Sequence, residues 1–369
     1  MAGILILGGY GFTGKLLARH LLEQSEAHVI LAGRHVEKAQ IYAEQLNTEF
    51  KGQRAAALRV DAASTQNLRE ALEAADLLLV AAPVTQHADT VIHAALESGV
   101  DYLDIQLDAG KFALLQSLSS QIERAGRCFI TEAGFHPGLP AAMVRYAARQ
   151  LDRMDSAVTA GYLNMGGALP YTEAVDELME AFRNYQAQVF KNGTWTKAGS
   201  YHMRKVNFGD GIGLKTCFSM FFEELRALPD IYTTLQEVGF FIAGTHWFVD
   251  WFVTPLVFAG LKLAPRRGIR PLGKLMWWSM QTFPKPPYLV LLKVEASGWK
   301  GGKPVKFEVA VSHSDGYELT AIPVVACLLQ NLDGSARRPG LWMMRHLVDP
   351  ERLFNDMERM GVAMTRTIA

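Results

Sequence analysis

The chain has 369 residues, of which 49% are hydrophobic and 20% charged, values that suit two globular domains and exclude disordered and fibrous proteins. Its 37 Lys and Arg residues balance 37 Asp and Glu residues, so it lacks the basic surplus by which proteins bind nucleic acid. Cys128, Cys217 and Cys327 are its only cysteines, which argues against a zinc site or a disulfide scaffold. We therefore expect that the protein holds no metal. No secretory signal opens the chain, so we expect a cytoplasmic protein.

The first 139 residues alternate short apolar runs with amphipathic stretches of helical spacing. The apolar runs cover residues 4–7, 28–32, 57–60, 77–81, 102–105 and 128–131. Runs of this length, each followed by a helix, are typical of a parallel sheet that helices cover on both faces. Because the crossovers between parallel strands are right-handed, these units predict a Rossmann fold, that is, a doubly wound α/β sheet.

A glycine-rich turn follows the first predicted strand. It consists of Gly8, Gly9, Tyr10, Gly11, Phe12, Thr13 and Gly14. Glycine permits a tight turn and lets a diphosphate approach the backbone N–H groups that open the following helix. A tight turn without a ligand is the alternative, but the order strand, glycine turn and helix favours a dinucleotide-binding site.

The second predicted strand ends in Arg34, twenty residues after Gly14. Proteins that bind NAD commonly carry an acidic residue near this position, where it binds the ribose 2′-hydroxyl. A guanidinium is instead suited to the 2′-phosphate of NADP through charge-assisted hydrogen bonds. We therefore predict NADP rather than NAD as the cofactor.

Two further segments are candidates for cofactor contacts. Asp61 follows the third strand and is expected either to contact the adenine amino group or to lie in the N-cap region of the next helix. The fourth strand ends in Ala81, Ala82 and Pro83. Their small side chains would let the ribose and nicotinamide lie against the backbone.

Several motifs occur together at the two ends of the chain. They are GGYGFTG at 8–14, LAGR at 31–34, VDYLDI at 100–105, EAGFHPGLP at 132–140, YELTAIPVVACLLQ from Tyr317, and the terminal PGLW and VDPERLFNDMERMG. In this combination the chain resembles the saccharopine dehydrogenase-like oxidoreductases, although its middle third is much less similar. The resemblance implies an enzyme that uses NAD or NADP to make or break a C–N bond beside a carboxylate, or to act on related imines.

Two titratable residues are expected near the reacting end of the cofactor, at the carboxyl ends of the strands. Asp104 ends the fifth strand, and His136 follows the sixth. A carboxylate and an imidazole there would transfer a proton to a developing amine or alkoxide. The alternatives are that Asp104 caps a turn and that His136 hydrogen-bonds a backbone carbonyl. His136 also stands where the family commonly has an acidic residue before Pro-Gly, which argues against the familiar amino-acid substrate.

From residue 140 the pattern changes. Strands are predicted at 156–163, 188–196, 217–223, 288–299 and 304–312, and a helix at 171–185. Without crossover helices, these elements predict an α+β domain at 140–316 with a mainly antiparallel sheet, which would bind substrate and form a homodimer. Residues 317–369 are expected to complete the domain of residues 1–139, and the cleft between the two domains is expected to bind a small-molecule substrate.

An apolar insert lies at 238–261, with Asp250 as its one formal charge. The wider region, 238–285, also contains Lys262, Arg266, Arg267, Arg270, Lys274, Lys285 and four of the seven tryptophans. These features are typical of membrane-facing elements, but Asp250 and Pro255 argue against a spanning helix. Two alternatives stay open: an amphipathic patch in one leaflet, which would make the protein peripheral to the inner face of a membrane, or a dimer interface or substrate lid.

Together these patterns predict an NADP-dependent oxidoreductase that transfers hydride to or from a C=N or C–N bond. Two other functions are kept as alternatives. One is a nucleotide-binding, membrane-associated regulatory protein without turnover, and the other is a reductase of a lipid-like C=C or C=O substrate.

Overall fold

The computed structural model describes residues 2–165, 170–183, 186–199, 202–209, 211–265 and 267–369. The chain divides into two units. The first unit comprises Met1–Leu139 and Tyr317–Met360, and the second comprises Pro140–Gly316 and Gly361–Ala369.

Parallel strands form the sheet of the first unit. With strands numbered in chain order, they are β1 (Gly3–Leu7), β2 (His28–Gly33), β3 (Ala55–Arg59), β4 (Leu77–Val80), β5 (Asp101–Asp104), β6 (Cys128–Thr131) and β15 (Gly340–Met343). Their spatial order is β15-β6-β5-β4-β1-β2-β3. From β1 the chain adds β2 and β3 on one side and then β4, β5 and β6 on the other, so the order in which strands are added reverses at β1. The predicted Rossmann fold is thereby confirmed, and its switch point lies between β1 and β4.

Helices connect these strands. They are α1 (Phe12–Gln24), α2 (Val36–Glu49), α3 (Thr65–Leu72), α4 (Ala88–Glu97), α5 (Ala109–Arg124), α11 (Gly316–Leu332), α12 (Met344–Leu347) and α13 (Pro350–Arg359), with a 3₁₀ turn at Thr85–His87. Every residue of β4 and β6 is buried. Burial on both faces explains why these strands are continuous apolar runs rather than alternating ones.

A mixed sheet forms the second unit. Its strands are β7 (Arg153–Asn164), β8 (Gln188–Lys191), β9 (Thr194–Lys197), β10 (Met203–Asn207), β11 (Leu214–Met220), β12 (Glu237–Ala243), β13 (Leu289–Lys300), β14 (Lys303–His313) and β16 (Ala363–Ile368). The order is β10-β11-β12-β7-β13-β14-β16, and β8 pairs with β12 and β9. The neighbours β12 and β7 run parallel, and the other pairs are antiparallel.

Short helices complete the second unit. They are α6 (Leu139–Ala148), α7 (Glu173–Arg183), α8 (Leu228–Ile231), α9 (Thr254–Leu263) and α10 (Ile269–Thr282), with a 3₁₀ turn at Glu223–Leu225 and a π-helical turn at Val249–Val253. None of the helices in the described part of the chain is long and apolar enough to cross a membrane.

The structure corrects the predicted apolar insert at 238–261. Its first quarter belongs to β12, where Val238 and Phe240 are fully buried between β11 and β7. Residues 244–246 connect this strand to the helical part that follows. The insert is therefore not one amphipathic element, because it comprises a buried strand, a short connection and a surface helix.

Two other predictions in the second unit also need correction. The expected strand at 188–196 is a hairpin, β8 and β9, whose turn residues Asn192 and Gly193 both have positive φ. Residues 361–369, expected to complete the first domain, belong instead to the second unit. There β16 pairs with β14, and Lys306 and Ala369 exchange backbone hydrogen bonds of 2.8 and 2.9 Å.

Candidate active site

The glycine turn lies at the carboxyl end of β1, beside the end of β4. Gly8 has a φ of +90°, and a Cβ there would lie 2.8 Å from Ala82 Cβ. A Cβ on Gly9 would lie 2.8 Å from Leu31 Cα, and one on Gly14 would overlap the carbonyl oxygen of Gly8. The turn therefore packs so tightly that a side chain at any of these positions would displace it.

The turn opens onto the N-terminus of α1. The first N–H groups of a helix, here among them those of Phe12 and Thr13, have no intrahelical partner. Gly11 is the N-cap residue and provides no side chain to cap them. The positive end of the helix dipole adds to the attraction for an anion at this position. The Phe12 ring is half exposed and stacks on Tyr317 with 5.3 Å between ring centroids.

Tyr10 connects the glycine turn to the end of β2. Its hydroxyl accepts a hydrogen bond of 3.2 Å from the backbone N–H of His35. A Cβ on Gly33 would lie 2.6 Å from the Tyr10 ring, so the ring lies directly on the backbone there. Arg34 follows Gly33, is exposed, and makes no hydrogen bond or ion pair with any residue that the structure describes. Its guanidinium is available for an anionic ligand.

Asp61 lies in the turn between β3 and α3. Its Oδ1 accepts a 3.0 Å hydrogen bond from the N–H of Ala63, and its own N–H donates to Asn67 Oδ1 at 2.7 Å. The N-cap residue of α3 is Ser64, whose side chain accepts from the N–H of Asn67. Asp61 thus stabilises the turn that precedes the helix, in the N-cap region that the sequence offered as one of two alternatives.

Ala81, Ala82 and Pro83 lie at the switch point. The N–H of Ala81 donates to the carbonyl oxygen of Leu7 at 2.9 Å, which extends the β1–β4 pairing by one residue. The side chain of Gln106 donates from Nε2 to the carbonyl oxygen of Ala82 at 2.8 Å. This hydrogen bond ties the ends of β4 and β5 together below the glycine turn.

Asp104 is fully buried and forms a closed network. Its Oδ1 accepts hydrogen bonds from Lys111 Nζ and from the N–H groups of Gln106 and Glu132. Its Oδ2 accepts from Thr131 Oγ1 at 2.9 Å. Both side chains of the Asp104–Lys111 ion pair are fully enclosed. This arrangement argues against the predicted proton-transfer role and favours the alternative, in which Asp104 caps a turn and also joins β5, β6 and α5.

His136 lies in a tightly folded loop after β6. In this loop Glu132 has a φ of 55°, and a Cβ on Gly138 would lie 2.6 Å from the backbone nitrogen of Gly134. The rings of Phe135 and His136 are 4.4 Å apart. Burial lowers the pKa of His136 to about 4, so its imidazole is neutral at neutral pH and is suited to accept a proton rather than to carry a permanent charge.

Comparison with known proteins identifies the domain that holds the glycine turn, Arg34 and Asp104. Residues 4–130 match the saccharopine dehydrogenase NADP-binding domain. The first unit carries this NADP-binding domain. The predicted NADP cofactor is thereby confirmed, and the protein is an NADP-dependent oxidoreductase.

One of the similar solved structures shares the fold over its whole length. The apo histidine-tagged saccharopine dehydrogenase (L-Glu forming) from Saccharomyces cerevisiae is similar with a TM-score of 0.70 and 13% identity, and 100% of each chain is covered. A myo-inositol dehydrogenase from Corynebacterium glutamicum is similar with a TM-score of 0.41 and 12% identity, covering 83% of this chain and 74% of that one. The yeast enzyme therefore shares the fold of both units of the oxidoreductase.

Two further residues at the carboxyl ends of strands in the first unit were not predicted from the sequence as site residues. Arg59, the last residue of β3, pairs in register with Gly33, is exposed, and has no hydrogen bond or ion pair to the described residues. The register between β2 and β3 therefore places Arg59 beside the end of β2, next to Arg34. Glu132 is a buried carboxylate with a strained backbone at the end of β6. The β2–β3 register would have revealed the first of these, but only the three-dimensional structure shows the strain at the second.

Proposed function

We propose that the protein transfers hydride between NADP(H) and a C=N or C–N bond of a small-molecule substrate. The observation that carries the proposal is the glycine turn at the switch point, where Gly8, Gly9 and Gly14 have no room for a side chain. NADP(H), when bound, supplies or accepts the hydride. C–N chemistry is supported by the fold shared with the yeast enzyme, which is named for saccharopine.

Each part of the cofactor has residues suited to it. The open N–H groups of α1 and of the turn would bind the diphosphate. Arg34 and Arg59 project from neighbouring strand ends and would bind the 2′-phosphate together, because two unpaired guanidinium groups suit a dianion. The small residues Ala81, Ala82 and Pro83 would leave space for the ribose and nicotinamide. Contact of Asp61 with the adenine amino group stays a prediction beside its role in the turn.

We assign proton transfer at the substrate to His136. Burial lowers its pKa to about 4, so the neutral imidazole would accept the N–H proton of an amine during oxidation. In the reverse direction the imidazolium would return that proton to the nitrogen as hydride reaches the carbon. Glu132, a carboxylate four residues earlier, is the second candidate. Asp104 is assigned a positioning role, because its contacts hold the backbone of Glu132 in place.

The first experiment measures cofactor affinity by isothermal titration calorimetry. Arg34→Ala and Arg59→Ala should each weaken NADPH binding by roughly 10–100-fold, the value of a hydrogen bond to a charged group, and leave NADH binding unchanged. Arg124→Ala, another exposed arginine on the last turn of α5, is the matched control. Equal affinity of the unaltered protein for NADPH and NADH would contradict the assignment.

Turnover is then measured with NADPH and three substrate classes: imines formed from a keto acid and an amine, keto acids alone, and enoyl lipids. The proposal expects the imines to be reduced and His136→Ala to lower kcat while NADPH affinity is preserved. Tight NADPH binding without turnover in any class would instead support a nucleotide-binding regulatory protein. Reduction of enoyl lipids alone would support the lipid reductase.

A homodimer formed through the second unit and a cytoplasmic location complete the proposal. Both rest on the sequence patterns described above. Sedimentation velocity of the purified protein tests the first, since a monomer at all concentrations would contradict it. Fractionation of cells that produce the protein tests the second.

A further inference from the structure

The helices of the second unit have an unusual distribution of apolar side chains. The π-helical turn and α9 bury one stripe, consisting of Val249, Val253, Val257 and Leu261. This stripe packs with Met179 of α7 and with Leu272, Leu275 and Met276 of α10. In a water-soluble helix the opposite side would be polar. Here it is apolar as well.

The opposite side forms what we call the outer face. It consists of Trp247, Trp251, Phe252, Leu256 and Leu263, together with Trp278 of α10, and their exposed fractions lie between 47% and 88%. Trp247, Phe252 and Trp278 are connected through Phe248 and Phe283, and Trp251 contacts Phe218 of β11. Phe252 stacks on Phe248 with 5.6 Å between centroids, Phe248 lies 5.0 Å from Phe283, and Phe283 lies 5.4 Å from Trp278. Exposed apolar side chains that form one surface, rather than single residues, indicate a binding surface.

Cations accompany the outer face. Lys262, Arg267, Arg270, Lys274 and Lys285 are all exposed, and none forms an ion pair with a carboxylate in the described ranges. On α10 the exposed residues Arg270, Lys274 and Trp278 follow each other at intervals of four, which places cations and tryptophan along one side of the helix. The surface is therefore both apolar and basic.

No carboxylate of this region offsets these charges at the surface. Asp250, the single acidic residue between 238 and 285, is turned inward, and a Cβ on Gly244 would overlap its carboxylate. Burial raises the pKa of Asp250 to about 6. The neighbouring α7 carries four acidic residues, Glu173, Asp176, Glu177 and Glu180. None of them pairs with the five cations in the part of the chain that the structure describes, and the Asp176 carboxylate accepts a hydrogen bond from the hydroxyl of Tyr171.

We propose that the outer face docks on the surface of an anionic lipid bilayer. Tryptophan and leucine side chains enter the boundary between headgroups and acyl chains, and the five cations contact the acidic headgroups. Charge complementarity favours this partner over a second copy of the chain. In a two-fold dimer built on the outer face, the same patch meets itself, and two sets of unpaired cations would be brought together.

Vesicle flotation tests the proposal with the full chain. The probes are vesicles of phosphatidylcholine alone and of phosphatidylcholine mixed with phosphatidylglycerol. The protein should float with the mixed vesicles and only weakly with the neutral ones, and added salt should weaken binding because it screens the charges. Lys274→Gln should weaken binding roughly fivefold. Leu256→Glu should weaken it by more than about tenfold, because an apolar contact is replaced by a charge that the headgroups repel.

Matched variants on the same unit are the controls. Ile231→Glu changes an exposed apolar residue, and Lys303→Gln an exposed cation, both outside the outer face; neither should alter flotation. Circular dichroism and NADPH titration verify that every variant is folded. Failure to float with mixed vesicles, or equal losses in control and test variants, would overturn the proposal. A dimer of the unaltered protein that Leu256→Glu converts to a monomer, without any vesicle binding, would assign the outer face to self-association instead.

Discussion

The two units differ in how far water can reach their lysine–carboxylate ion pairs. In the first, Lys111 and Asp104 form an ion pair whose side chains are both fully enclosed. In the second, Lys293 pairs with Glu308 at 2.8 Å, but the Glu308 side chain is 44% exposed. A sheet that helices cover on both faces encloses its polar groups. A sheet with one solvent-exposed face lets water reach them. Replacing an enclosed charged residue should therefore lower the free energy of unfolding much more than replacing one that water reaches.

The largest effect is expected from the two lysines. Lys111→Met leaves the Asp104 carboxylate buried without its counter-ion and should cost about 3–5 kcal/mol of unfolding free energy. Lys293→Met should cost about 1 kcal/mol or less, because water reaches both carboxylates that Lys293 pairs with, Glu308 and Glu295, which are 44% and 27% exposed. Urea denaturation of both variants measures the difference.

A double variant sharpens this result. Asp104→Asn added to Lys111→Met should recover part of the lost stability, since asparagine buries no charge. Equal losses for Lys111→Met and Lys293→Met would show that enclosure does not separate the two units.

Much of the first unit was predictable because its signals are local. Each strand of the Rossmann sheet is one apolar run, and the glycine turn lies within seven residues. The role of Asp104 was not predictable, because it depends on Lys111, which the first turn of α5 directs back towards the strand. A position at the end of a strand is compatible with both a proton-transfer group and a buried structural one.

The second unit was harder to predict because its signals are long-range. The strand β12 is hidden in a longer apolar run, and only its pairing with β7 and β11 separates it from the helix that follows. The final strand β16 pairs with β14, about fifty residues earlier in the chain, and no local pattern assigns it to one unit or the other. The Asn192-Gly193 turn did have a local signal, since this dipeptide is typical of two-residue hairpins.

Two glycines provide the second comparison. Gly14→Ala places a methyl group on the carbonyl oxygen of Gly8, so the turn must shift. We expect a loss of about 1–3 kcal/mol in unfolding free energy and a loss of NADPH affinity of more than about tenfold. Gly199→Ala in the second unit meets no atom of the described residues within 4 Å and should be neutral or stabilise by up to about 1 kcal/mol. Calorimetric titration and urea denaturation of both variants give the two readouts, and unchanged NADPH binding by Gly14→Ala would contradict the close packing of the turn.

The smallest effects concern two partly buried titratable groups, His136 and Asp250, whose pKa shifts make folding stability depend on pH in opposite directions. His136 has a pKa lowered to about 4 in the folded protein, so the unfolded chain binds its proton first and folding stability falls as pH drops from about 6.5 to 4. His136→Gln should remove this dependence, worth about 1–2 kcal/mol for a half-buried group.

Asp250 has a pKa raised to about 6, so its folded form binds the proton first and stability falls as pH rises from about 4 to 6. Asp250→Asn should therefore stabilise the protein at pH 7 by about 1 kcal/mol and have no effect below pH 4. Thermal melting between pH 4 and 7 distinguishes them, because the difference from the unaltered protein should grow towards acid for His136→Gln and towards neutrality for Asp250→Asn. Curves that run parallel to that of the unaltered protein would mean that neither group is buried as the structure has it.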